Sequence, residues 1–148
     1  MNILVGVDLS GCTDTIIEQA KALAKALSAK VWLIHVAEPE PDFVGYDAGP
    51  QSERDAIAKI FHREHTELQT LAKQLRADGV ETTALLIRGP TAETILNEGS
   101  KLNADMVIVG SHGRGAMQRL LMGSVSEAVL RRTDRPILIV PTHSRAAQ

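Results

Sequence analysis

Between residues 110 and 126 the chain reads Gly-Ser-His-Gly-Arg-Gly-Ala-Met-Gln-Arg-Leu-Leu-Met-Gly-Ser-Val-Ser, and here the residue types point most directly to chemistry. Gly110 and Gly113 follow the apolar run Met106–Val109. Missing side chains at a strand end let backbone N–H groups approach a bulky anion. Gly123 and Ser124 then open a helical pattern, whose first amides are unpaired and whose dipole favours negative charge. Ser124 and Ser126 add hydroxyl donors. From Met106 through Ser126 no acidic residue occurs, while His112, Arg114 and Arg119 do. In a chain with 18 acidic and 16 basic residues, that local absence of carboxylates points to an anion site. The plainer account is that the glycines shape a turn, Ser124 caps a helix and the arginines are solvated.

Asp8 ends another buried run and precedes a helix. A carboxylate there can accept from a ribose hydroxyl or help hold a divalent cation; its plain role is to cap the helix with Ser10. A phospho-accepting receiver domain would need a further Asp after the third strand and a Lys after the fifth, where this chain has Arg88 and Thr142. Ser10-Gly11-Cys12-Thr13-Asp14-Thr15 is partly similar to the pyrophosphate loop of ATP-pyrophosphatase-type adenylating enzymes. Cys12 stands at the second glycine, where a side chain obstructs close approach to phosphate.

His62 and His65, with Arg63 and Glu64, read as a wet helix face rather than a metal pair, because no third ligand is evident. Cys12 reads as a small buried side chain, and His35 as a hydrogen-bonded core residue. No nucleophile, base and orienting group assemble by spacing, and Gly-x-x-x-x-Gly-Lys-Ser/Thr is absent. The expectation is binding without catalysis, with at most slow hydrolysis.

Five apolar runs must position these residues: Ile3–Val7, Val31–Val36, Val80–Ile87, Met106–Val109 and Pro136–Val140. The first and the last two are continuous, as strands covered on both faces are. Val80–Ile87 opens with Glu81, Thr82 and Thr83, which places it nearer an edge. Helical periods lie between them. Ile16, Ala20, Leu23 and Leu27 form one stripe; Ile57, Phe61, Leu68 and Leu75 form another through Ser52–Ala77, stopped at Gly79. Ala92, Ile95, Leu96 and Leu102 follow Thr91 as N-cap, and Val125, Ala128 and Val129 end near Arg132. Strict alternation predicts an α/β fold: a doubly wound, five-stranded parallel sheet with four helices in one domain over 1–148. Ligands in such sheets bind beyond the carboxyl ends of the strands, just after Val7, Val36, Ile87 and Val109. The irregular segment 37–51 reads as a partner-contacting loop.

At 148 residues the chain buries roughly 70% of its unfolded surface and needs no staple to fold. A composition 44% hydrophobic and 23% charged excludes a disordered or fibrous chain. A net charge of −2 gives no global field for nucleic acid or anionic lipid. The single Cys12 makes no internal disulfide, the first eight residues lack a basic leader region, and no apolar run is long enough to cross a bilayer. These features predict a cytoplasmic protein that is not membrane-embedded.

Glycine, two residues, glycine, nine residues, glycine, serine resembles the pattern of nucleotide-binding universal stress proteins, supplied here by Gly110, Gly113, Gly123 and Ser124. The opening Ile3–Asp8 with Ser10, Leu-Ile-His-Val at the second strand, Gly89-Pro90 and the final Pro-Ile-Leu-Ile-Val-Pro are similar too. The resemblance implies sheet order 3-2-1-4-5 and binding of ATP or AMP, with Mg²⁺ accompanying a triphosphate and no metal site made by protein ligands alone. Gly110, Gly113, Gly123 and Ser124 would hold phosphates. Asp8, next to Val7, would face ribose and adenine, and Val36 would offer backbone groups to the adenine edge. Val109, His112 and Val125 match further contacts, with Ser10, Ile87, Arg114 and Ser126 beside them. It also implies a regulator of stress response that dimerises through 136–140, with higher assembly and the protein partner open. The rivals are an adenylating enzyme built on Ser10–Thr15 and a nucleotide-independent module that regulates a partner such as a transporter.

Overall fold

Each apolar run becomes a strand because it has two faces to bury. A computed structural model describes residues 1–37, 51–112 and 122–142. Most of the expected partner loop (38–50) lies outside the described residues, as do Gly113, Arg114, Arg119 and the chain beyond Thr142. The strands are β1 (Asn2–Gly6), β2 (Lys30–Ala37), β3 (Thr82–Arg88), β4 (Met106–Gly110) and β5 (Ile137–Val140). The helices are α1 (Thr13–Leu27), α2 (Gln51–Ala77), α3 (Thr91–Lys101) and α4 (Ser124–Arg132). All strands pair in parallel in the order β3-β2-β1-β4-β5, which puts β3 at an edge as its polar start predicts.

Residue parity sorts the sheet into two cores. Ile3, Val5, Val31, Leu33 and Ile108 pack with Ile16, Ile17 and Ala20 of α1 and Leu68, Ala72 and Leu75 of α2. Leu4, Ile34, Val36, Val107 and Val109 pack on the other face with Ile95 of α3 and Val129 of α4. Burying one such side chain is worth about 1.5–3 kcal/mol, so neither face can be left wet. The α1 stripe differs from expectation at its end. Ile17 and Ala24 are buried while Leu27 is 41% exposed. The helix stops there, because Ser28 takes a left-handed φ of 50° and the Ala29 N–H returns to the Ala24 carbonyl at 2.9 Å.

α2 covers the sheet only with its second half, since its buried residues are Leu68, Ala72 and Leu75. It closes as expected before Gly79, whose φ of 87° suits a residue without Cβ. Lys21 of α1 bonds to Glu18 and to Asp78 just past α2; these bonds, Glu18 first, raise the lysine's pKa. The N-cap of α3 is Pro90 rather than Thr91, with the Thr94 N–H donating to the Pro90 carbonyl at 2.9 Å. Among the described residues no helix is long and apolar enough to cross a membrane.

Candidate functional site

β1 and β4 lie side by side at the centre of the sheet, yet β1 leads to β2 on one side and β4 to β5 on the other. The crevice beyond their carboxyl ends is the switch point of the fold. Asp8 and Ser10 leave β1 into it, and Ser111 and His112 leave β4 into it. Two turns therefore bound the site.

In the β1–α1 turn the Ser10 N–H donates to Asp8 Oδ1 (3.0 Å) and the Thr13 N–H to the Ser10 carbonyl (3.1 Å). Leu9 is forced into a left-handed φ of 60°. Asp8 Oδ2 and Thr13 Oγ1 are buried and have no hydrogen-bond partner among the described residues. Asp8 does not cap α1: the N-cap is Cys12, with no side-chain bond to the helix amides. Cys12 is half-buried rather than buried, and its thiol donates to the Thr142 carbonyl at 3.0 Å.

The described ends of the β4–α4 segment are tied to each other and to Thr142. Thr142, just after β5, donates its N–H to Ser111 Oγ (3.0 Å), accepts from the His112 N–H (3.0 Å) and donates its hydroxyl to the His112 carbonyl (3.0 Å). The Gly123 N–H donates to the Ser111 carbonyl at 2.6 Å. The Ser126 hydroxyl lies 3.0 Å from both the Ser111 and Gly123 carbonyls, so its one proton is spent inside the turn. In this arrangement the Ser126 hydroxyl serves the turn. Gly110 also has a different reason for lacking a side chain. A Cβ there would meet Thr142 Cγ2 at 2.8 Å and Ile16 Cδ1 at 3.0 Å, so the protein itself fills that space.

Gly123 is the N-cap of α4 and Ser124 its first residue. The first backbone bond of that helix runs from the Glu127 N–H to the Gly123 carbonyl (3.0 Å). The amides of Ser124 and Val125 precede it at the positive end of the dipole. Ser124 is exposed and Gly123 buried. Val36 and Ile87 pair at the ends of β2 and β3, and Val109 is buried one residue before the β4 end. Val7 is buried just past β1, its N–H donating to the Ile34 carbonyl at 2.9 Å. The structure thus gathers Asp8, Ser10, Gly110, His112, Gly123 and Ser124 at one sheet edge, as the strand order requires. Gly113 and Arg114 fall outside the described residues.

Three groups escaped the sequence reading. Thr142 counted only as a missing lysine, although a threonine directly after the last strand was the available signal. Ser111, between two glycines, carried no signal of its own. Glu64 was grouped with a wet helix face, yet its side chain is 12% exposed and hydrogen-bonds His35. His62, Arg63 and His65 are exposed or nearly so in keeping with expectation, and no cluster of metal-ligating side chains occurs among the described residues.

The model of the universal stress protein family matches residues 1–141. A universal stress protein of Thermus aquaticus is 32% identical over 144 residues, covering 93% of this chain and 96% of its own. A solved protein of Methanocaldococcus jannaschii superposes with a TM-score of 0.83 at 24% identity over 97% of both chains. A universal stress protein solved in complex with cAMP superposes with a TM-score of 0.68 at 22% identity, over 97% of this chain and 98% of that one. With nearly its whole length matched and the expected strand order in place, this chain belongs to the universal stress protein family.

Proposed function

We propose that this protein binds an adenine nucleotide, ATP or AMP, and acts as a nucleotide-responsive regulator in stress response. The observation that carries the reading is Asp8 Oδ2, a buried acceptor with no partner among the described residues, at the switch point. A buried carboxylate oxygen left unpaired costs about 1–3 kcal/mol, and a ribose hydroxyl is a donor of the right kind to recover it. The amides of Ser124 and Val125 at the start of α4 suit phosphate, with Gly113 and Arg114 contributing from the glycine loop. Val36 would offer backbone groups to the adenine edge, with Ile87 and Val109 beside it on one face of the sheet and Val7 on the other. Gly110 and Ser126 shape the turn. Mg²⁺ would accompany a triphosphate on the same anionic groups.

No nucleophile, base and orienting group come together among the described residues of the site, so the working state is the bound one, with slow hydrolysis at most. The apolar β5, half-buried at the sheet edge, suits pairing with a second copy, and cytoplasmic residence fits the single unpaired cysteine. The cAMP complex of a family member supports the ligand class.

The test is mass spectrometry of small molecules released from protein purified without added nucleotide, followed by ATP titration with and without Mg²⁺. Recovered ATP or AMP near one per chain is expected, with binding lost in Gly123→Leu at an unchanged unfolding midpoint. No recovered ligand and no binding on titration would sink the reading and leave an interaction module in front.

A further inference from the structure

We infer that His35 and Glu64 share one proton that latches α2 to the site end of the β1–β2 pair, so that nucleotide binding strengthens in acid and weakens in alkali. The consequence for binding rests on the nucleotide reading; the latch rests on geometry alone. His35 is 6% exposed, on the sheet face of Val31 and Leu33. Its Nδ1 lies 2.8 Å from the Val7 carbonyl, and a carbonyl only accepts, so Nδ1 carries a hydrogen. Its Nε2 hydrogen-bonds Glu64 Oε2 from the middle of α2. A lone pair and a carboxylate oxygen cannot bond unless a proton stands between them. The pair is therefore imidazolium with carboxylate, or imidazole with carboxylic acid; the proton count is the same.

Removing that proton would leave a buried carboxylate against a nitrogen lone pair, and the contact would open. A contact that contains a proton is favoured by acid and released by alkali. The Val7 carbonyl is the next backbone group after the last β1–β2 pair, Gly6 with Ile34, and immediately precedes Asp8. Val36 immediately follows His35. The latch thus sets both the Asp8 turn and the strand end against which adenine would lie.

Other ionisable groups surround it among the described residues. On α2, His62, Arg63, His65 and Glu67 lie toward water, as do Asp14 and Glu18 on α1, and solvent screens them. Arg88 at the end of β3 lies over the Phe61 ring at 4.4 Å. Asp8 accepts from the Ser10 N–H.

The experiment is ATP titration of the wild type, Glu64→Gln and Glu64→Ala from about pH 6 to about pH 9, with ¹⁵N NMR of the His35 ring. In Glu64→Gln the side-chain amide can donate to Nε2 without a shared proton. Wild-type affinity should fall roughly tenfold relative to Glu64→Gln across this range, and Glu64→Ala should be weak throughout. ATP's own titration is common to all three and cancels. Parallel wild-type and Glu64→Gln profiles, or ring shifts that place no hydrogen on Nδ1, overturn the latch. If no variant binds ATP, the nucleotide reading fails and the latch is still decided by amide exchange at Val7, corrected for intrinsic rates. Protection that drops with pH in wild type but not in Glu64→Gln supports it; equal profiles overturn it.

Discussion

The two turns that bound the crevice are built on opposite principles. After β4, the described polar groups Ser111, His112 and Gly123 meet other parts of the protein: Thr142 serves Ser111 and His112, and Ser126 serves Ser111 and Gly123. After β1, Asp8 Oδ2 and Thr13 Oγ1 are buried without partners among the described residues, and Leu9 holds a left-handed conformation. The described ends of the β4–α4 segment are braced by the chain itself. The β1–α1 turn stores unfavourable free energy that a ligand can release, as binding sites often do at the expense of stability. Substitutions at Thr142 and Ser126 should therefore be read as losses of folding, and those at Asp8 as losses of binding.

Thr142→Val puts this contrast to its hardest test. It preserves shape but removes the hydroxyl that braces the His112 N–H and carbonyl, which should cost about 2–3 kcal/mol in denaturant unfolding. A variant as stable as wild type would show that the β4–α4 turn is not held as described. Asp8→Asn should do the reverse. Stability should stay level or rise by up to about 1 kcal/mol, while ATP affinity falls about tenfold, near 1.4 kcal/mol. Calorimetric titration beside a melting curve measures both, and a destabilised variant with intact affinity would erase the distinction. The smallest effect is expected at Leu9→Gly, where release from φ 60° outweighs added chain entropy by about 0.5 kcal/mol. A lower unfolding midpoint there would mean that Leu9 is not strained.

The contrast also marks what the amino-acid order could reveal. Strand identity and parallel pairing were legible because burial on both faces leaves an uninterrupted Val, Ile and Leu run, as at Ile3–Val5 and Val107–Val109. The switch point followed from strand order. The α4 start was legible because glycine and serine at a helix N-terminus have a local physical meaning. The partners of Ser111 and His35 were not legible, because they come from Thr142 and Glu64, 31 and 29 residues away. Local patterns say that a side chain is polar and where its element lies. They do not say which distant group will satisfy it. Gly110 shows the same limit, since its backbone position was read correctly while the Thr142 and Ile16 side chains that require it were not.

Thr142 finally sets an order of events during synthesis. It lies 30 residues after His112, whose backbone it braces, and 130 after Cys12, whose thiol its carbonyl accepts. At about 5–20 residues per second, the His112 segment leaves the ribosome roughly 2–6 s before its brace does. β1 waits far longer for β4, its central neighbour. A nascent chain can thus pair β1, β2 and β3 early, while the crevice is assembled only when the last strand arrives. Any ligand that recognises both turns would discriminate chains that have passed Thr142 from those that have not.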